Sequence, residues 1–232
     1  MQVETILSPL LFSQVQDIES KVVVVIDILR ATSTITTILE NEAAAVIPVR
    51  EESIAREYKE KGFLVGGERG GETIEGFDFG NSPFHYGNEV VAGKDIVLTT
   101  TNGTKCIEMS ADAHQVIVGS FLNLEAVIKH LIATQKDVVL FCAGWKDRVN
   151  LEDSLYAGAV AEGLKDANYD DPSLLSIDAY KAAQADLFAA LQHSNHFQRL
   201  ASKGVTKDIA YCCKRDTTDI VGVLKDGKIV VG

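Results

Sequence analysis

An aspartate, Asp27, stands directly after five consecutive apolar residues, Val22–Ile26, in the run KVVVVIDILRATST. An acid at the end of such a run is costly to bury unless it is paired or holds a metal ion. Arg30 is near enough in sequence to neutralise it, and a structural pair is one reading. In the other, Asp27 ligates a hard cation while Arg30 faces a phosphoryl oxygen. Thr32, Ser33 and Thr34 follow as helix-capping residue types, and a helix start with hydroxyls and free N–H groups also attracts phosphate.

Three further segments carry related chemistry. In TTTNGT, Thr99–Thr104, the Asn-Gly pair marks a turn. Such a turn entering a helix can form an anion-binding nest from Thr101, Asn102, Gly103 and Thr104, or can simply connect two elements. GGERGG, Gly66–Gly71, lacks the GK[ST] of a Walker loop and does not fit GxGxxG. Its content is Glu68, a possible metal ligand, and Arg69, a possible phosphate clamp. Glu152 and Asp153 open a helical stretch, where acids complement the dipole or serve a cation. Mg²⁺ takes one or two carboxylates together with waters and substrate phosphate, so Asp27, Glu68, Glu152 and Asp153 exceed what one ion needs. None of the five histidines has metal-ligand spacing; His85 lies in the central loop, and His114, His130, His193 and His196 read as surface or packing residues. Trp145 packs or lines a pocket, and Lys146, Arg148, Lys214 and Arg215 read as solvated charges.

These residues fall where strands give way to helices. Lys21–Ile28 and Val46–Val49 are apolar without alternation, as in strands covered on both faces. Glu51–Lys61 reads as a charged helix ended by Gly62, and Phe63–Val65 leads into GGERGG. The order recurs with strands at Asp95–Leu98, Val116–Val118 and Val138–Cys142. Between them lie a short helix holding Ile107 and Met109 and an amphipathic helix over Leu124–Thr134. Offsetting the halves by 70 positions pairs Ile26 with Ile96, Thr34 with Thr104 and Val46 with Val116. The repeated order predicts an internal duplication of β-α-β-α-β. Helices are expected over Glu152–Lys165, Ser173–Gln192 and His196–Lys203, and a hairpin over Ile220–Val231 turning at Asp226-Gly227. Alternating strands and helices predict an α/β fold in three α/β/α layers, with a parallel or mixed sheet and two similar halves. The halves, 1–120 with the Gly-, Asn- and aromatic-rich central loop and 121–232 with the helical end, interleave in one compact unit.

The 232 residues are 46% hydrophobic and 24% charged, ordinary for a packed globular chain. No apolar run approaches the ~18 residues needed to cross a membrane. Met1–Leu11 lacks the basic region and cleavage site of a signal peptide. Cys106, Cys142, Cys212 and Cys213 form no CxxC pair and read as reduced thiols of a cytoplasmic protein, the last two alternating across a strand. A net charge of −11 argues against nucleic acid and anionic lipid as partners. A small anionic substrate remains compatible if a few cations make a local positive pocket.

VVVIDILRATSTI (Val23–Ile35), GGERGG, GFDFGNSP (Gly76–Pro83), TTTNGT, CAG (Cys142–Gly144), NLEDSLYAG (Asn150–Gly158) and the closing Asp208–Val230 stand in one order along the chain. Together they resemble the 2-phosphosulfolactate phosphatase family, Mg²⁺-dependent enzymes first associated with coenzyme M biosynthesis. The resemblance implies hydrolysis of a phosphorylated sulfolactate to sulfolactate and phosphate, and a dimer of three-layer chains. Within it, Gly80-Asn81-Ser82 would face the substrate's carboxylate or sulfonate. The EDxL segment often continues with Cys before Ala-Gly, where Tyr156 stands here. A phosphatase for another small phosphorylated acid and a non-catalytic anion-binding module are the alternatives.

Overall fold

The computed structural model describes residues 1–232. β1 (Gln2–Ile6) is followed by β2 (Val22–Ile26), α1 (Ala31–Glu40), β3 (Ala45–Pro48), α2 (Glu52–Glu60) and β4 (Leu64–Arg69). The central segment holds β5 (Glu72–Thr73) and α3 (Asn88–Val91) before β6 (Asp95–Thr99), α4 (Gly103–Met109) and β7 (Gln115–Gly119). Then come α5 (Leu124–Thr134), β8 (Val138–Cys142), α6 (Leu151–Gly163), β9 (Asn168–Tyr169) and α7 (Asp171–Ala183). The chain closes with α8 (Leu187–Leu191), α9 (Asn195–Ala201), α10 (Thr206–Cys212), β10 (Gly222–Lys225) and β11 (Lys228–Val231).

All strands join one mixed sheet in the order β5-β4-β6-β3-β11-β10-β7-β2-β8-β1-β9. The uninterrupted apolar run of β2 is explained by its place between β7 and β8, paired in parallel with both. Its side chains alternate between two cores. Val22, Val24 and Ile26 face α5, α6 and the C-terminal helices, whereas Val23 and Val25 face Ile35 and Ile38 of α1 and Ile107 of α4. A smaller cluster, Ile47, Val65 and Val97 with Ala55, seats α2. The expected α/β/α layering is therefore present.

β4, β6 and β3 form one parallel group, and β7, β2, β8, β1 and β9 another. The hairpin β10–β11 bridges them through antiparallel steps on both sides. The order β4-β6-β3 has its counterpart in β8-β2-β7, so the first strand of each sequence half lies between the later strands of the other. Because three antiparallel steps separate the groups, their carboxyl ends would lie on opposite edges of a flat sheet. Neighbouring strands turn by roughly 20–25°, however, which accumulates to about 100–125° over the five steps from β6 to β2. The seam is also short, with one residue pair joining β11 to β3, Ile229 with Val46, and two joining β10 to β7. Residues that follow β2, β4, β6 and β8 line one cavity.

Several local expectations change. Four of the six residues of GGERGG are strand, since Gly66–Arg69 belong to β4 and only Gly70 and Gly71, with φ of 64° and 90°, make the turn. The long helix expected over Ser173–Gln192 is two, because Asp186 caps a new helix by accepting from Ala189 N. Cys212 and Cys213 sit at the end of α10, not on a strand. β1, α3 and α10 were not expected. The hairpin turns at Asp226 and Gly227, both with positive φ, as an Asp-Gly turn requires. No helix is long and apolar enough to cross a membrane.

Candidate active site

The cavity is built on Asp27, whose side chain is pinned by the start of α1. Ala31 N donates to Asp27 Oδ1 (3.3 Å), Asp27 N donates to Thr32 Oγ1 (3.1 Å), and Thr32 N donates back to Asp27 O (2.9 Å). The carboxyl is 7% exposed. Burial pushes its pKa up to about 6; the Ala31 N–H and His196 oppose the rise, while Glu68 and Glu152 add to it. Gly103 completes the contact, because a Cβ there would lie 2.9 Å from Asp27 Oδ2 and 2.7 Å from the Ala31 Cβ. No side chain fits between α4 and the acid.

Arg30 does not pair with Asp27. Its guanidinium, 5% exposed, bonds to Asp208 of α10 and lines the cavity. Glu68 ties the β4 turn to the loop after β6. Its Oε1 accepts from Thr101 N (2.9 Å) and Thr101 Oγ1 (2.7 Å), and its Oε2 accepts from Gly71 N (2.6 Å). Asp27, Arg30, Glu68, Asn81, Thr101 and Asn102 thus meet around one space. The Asn81 amide oxygen is buried there without a partner.

Other candidates from the sequence are turned to local tasks. Ser33 Oγ donates to Ile28 O and Thr34 Oγ1 to Asn81 O, and Thr32, Ser33 and Thr34 are fully buried. Thr104 Oγ1 donates to Thr100 O. Arg69 donates to Glu68 O, Arg50 O and Thr99 Oγ1, so its guanidinium faces the back of β4. Ser82 borders a neighbouring, larger space. Asp153 accepts from Ile28 N (2.9 Å), Gly144 N (2.9 Å) and Asn150 Nδ2 (3.1 Å), lashing the ends of β2 and β8 to α6. Burial, with Glu152 and Asp27 close by, pushes its carboxyl well above the usual range despite those N–H donors.

Glu152 is wholly buried; its Oε1 bonds to His196 Nδ1 and its Oε2 has no partner. His196 is therefore no surface residue. It is 8% exposed, and Arg199 Nη2 donates to its Nε2 (2.7 Å), which places the ring proton on Nδ1 toward Glu152. Arg199 also donates to Gly70 O (3.1 Å) and lies 4.8 Å over the Trp145 ring, itself stacked on His196 at 6.3 Å. The helix α9 thus contributes His196 and Arg199, neither of which stands in a quoted motif, and α10 contributes Asp208, at the start of the closing segment, as the partner of Arg30. His196 and Arg199 are three apart on one helix face, and that spacing was the available clue. Tyr156, at the position where a thiol often stands, is fully buried against Phe121 and does not line the cavity.

The sequence model of the 2-phosphosulpholactate phosphatase family matches residues 8–227. A probable 2-phosphosulfolactate phosphatase of Caldanaerobacter subterraneus subsp. tengcongensis is 43% identical over 219 residues, covering 91% of each chain. A protein of the same name from Thermotoga petrophila is 41% identical over 214 residues, covering 92% of this chain and 93% of its own. Another from Clostridium acetobutylicum is 37% identical over 222 residues, covering 93% and 94%. With the family model and these relatives spanning nearly the whole length, the chain belongs to the 2-phosphosulpholactate phosphatase family.

Proposed function

We propose that the chain is an Mg²⁺-dependent phosphatase that hydrolyses 2-phosphosulfolactate to sulfolactate and phosphate at the cavity around Asp27. The observation that carries this reading is the convergence there of a buried acid, Asp27, with two guanidinium groups, Arg30 and Arg199. In a chain of net charge −11, such a cationic pair is what a phosphoester dianion needs to enter and stay. Arg30, held by Asp208, and Arg199, held by Gly70 and Trp145, are oriented to receive phosphoryl oxygens. Trp145 and Leu200 border the same space.

The donor set suits Mg²⁺. Asp27 and Glu152 offer hard carboxylate oxygens, and Glu152 Oε2 is buried with no hydrogen bond to satisfy it. No three His, Cys, Asp or Glu side chains gather into a ready-made cage. An ion held here would take only one or two carboxylates and complete its shell with water and substrate. Asp27 and Glu152 would hold it, with Glu68, already bonded to Thr101 and Gly71, as a positioning group. When bound, Mg²⁺ supplies charge neutralisation at the phosphoryl oxygens. In this reading the protein acts in the cytoplasm as a homodimer, as the family resemblance implies.

Phosphate release from 2-phosphosulfolactate tests the proposal. EDTA is expected to abolish it and added Mg²⁺ to restore it, with the same pattern on a generic aryl phosphate. Full activity after exhaustive chelation would remove the metal from the account. Binding of the phosphoester without phosphate release would leave an anion-binding module.

A further inference from the structure

Beside the small space around Asp27 lies a second and larger one, about 530 Å³ against about 30 Å³. The two share Arg30, Gly71 and Asn81, so a ligand bound to one reaches the other past a wall of a guanidinium and an amide. The inner space is small, and a substrate that extends past the shared wall enters the outer one.

The outer space is polar and cationic. Lys207, on α10, lines it together with Ser82, His85 and Thr73. Nearby Lys203 is paired with Glu72 and Arg30 with Asp208, but the Lys207 ammonium has no salt-bridge partner. Asp208 also borders the space, yet its charge is already matched by Arg30. His85 accepts from Gly80 N through Nδ1 (3.1 Å), which leaves its proton on Nε2 as a hydrogen-bond donor. Asn81, 95% buried by its 5% exposure, has an amide oxygen with no partner in the protein. Phe84 and Val205 supply a short apolar edge. An unpaired ammonium, an imidazole N–H and a hydroxyl beside a short apolar wall suit a small carbon chain ending in an oxyanion.

We infer that the outer space is the subsite for the substrate's distal acidic group, a carboxylate or sulfonate on the carbon skeleton that carries the phosphoryl group. Lys207 is its main cation and the determinant of selectivity for acidic over neutral phosphoesters. The inference rests on the phosphatase reading for the occupant of the inner space, but its electrostatics can be tested without turnover. Lys207 is exposed and near the start of a short helix, so its replacement is expected to leave the fold intact.

The test compares wild type, Lys207→Ala and Lys207→Glu on 2-phosphosulfolactate and on an aryl phosphate with no acidic group. The ratio of the two kcat/KM values is expected to fall about tenfold in Lys207→Ala, the size of losing one charge-assisted hydrogen bond, and further in Lys207→Glu. Calorimetry with sulfolactate gives an independent reading, with affinity expected to fall in the same order. An unchanged ratio, or sulfolactate affinity equal in all three proteins, overturns the subsite. If wild type hydrolyses neither phosphoester, the phosphatase reading fails and calorimetry alone decides. Weaker sulfolactate binding by Lys207→Glu then upholds the subsite; no binding by wild type refutes it.

Discussion

Asp27→Asn is expected to remove nearly all phosphatase activity while making the metal-free protein more stable at neutral pH. The two effects have one cause. Burial holds the Asp27 carboxyl at about 6 against an ordinary value of 3.8, so ionising it in the folded protein is unfavourable. Below about pH 4 the acid is protonated in both folded and unfolded chains, and no penalty exists. As pH rises from about 4 to about 6, the folded state holds its proton more tightly, and stability declines. Above about 6 the full cost is present, on the order of 3 kcal/mol for a shift of this size. Asn cannot ionise and still accepts from Ala31 N, so it escapes that cost. At pH 7.5 the variant's Tm is expected to exceed that of metal-free wild type by roughly 5–10 °C for a chain of this length, with the gain vanishing near pH 4.

Activity should move the other way, with kcat/KM falling at least about a thousandfold, as for loss of a group that touches the reacting atoms. Full rescue by excess Mg²⁺ would make Asp27 a ligand and not a nucleophile. A variant as active as wild type without added metal would place the site elsewhere. Thermal melts across pH, paired with kinetics, separate these outcomes. A stabilising substitution that destroys activity is the mark of a residue kept for chemistry at a cost in stability.

Arg30→Ala has the second large effect, and here stability and activity must be separated. Arg30 is paired with Asp208, which is 6% exposed. Removing the guanidinium leaves a buried carboxylate without its partner, a loss of about 3–5 kcal/mol by comparison with other broken buried pairs. The double variant Arg30→Ala with Asp208→Asn removes that unpaired charge and is expected to regain most of the lost stability. Its kcat/KM should nonetheless stay about 10²–10³-fold below wild type, because the phosphoryl group has lost a charged donor. Recovery of activity along with stability would assign Arg30 a purely structural role. Melting midpoints and kcat/KM for both variants decide the matter.

Much of this arrangement was legible in the sequence because it is local. The apolar run of β2, the Gly62-terminated α2, α5, β8 and the Asp-Gly hairpin each depend on neighbours within a few residues. The same holds for Asp27, Arg30, Glu68, Asn81, Thr101 and Asn102, which stand at strand ends or in the central loop and meet in the structure. Their partners were not legible. Arg199 lines the cavity and Asp208 holds Arg30 because α9 and α10 fold over that side, contacts between residues far apart in sequence. His196 reads as an ordinary surface or packing residue until Glu152 and Arg199 are seen to occupy its two nitrogens. Arg69 shows the opposite error, since its place beside Glu68 suggests the cavity. Alternation along β4 sends neighbouring side chains to opposite faces, and Arg69 turns to Arg50 O and Thr99 Oγ1. The reversal of sheet direction at the hairpin was equally hidden, because it arises from pairing between residues over a hundred positions apart.

We propose that the phosphoester is held and cleaved in the space between Asp27, Arg30 and Arg199. A crystal structure with Mg²⁺ and sulfolactate tests it most directly. The ion is expected on Asp27 and Glu152 and the product beside it, with its acidic groups running toward Lys207. Ion and product bound together at a different surface, with the Asp27 cavity holding only water, would contradict it.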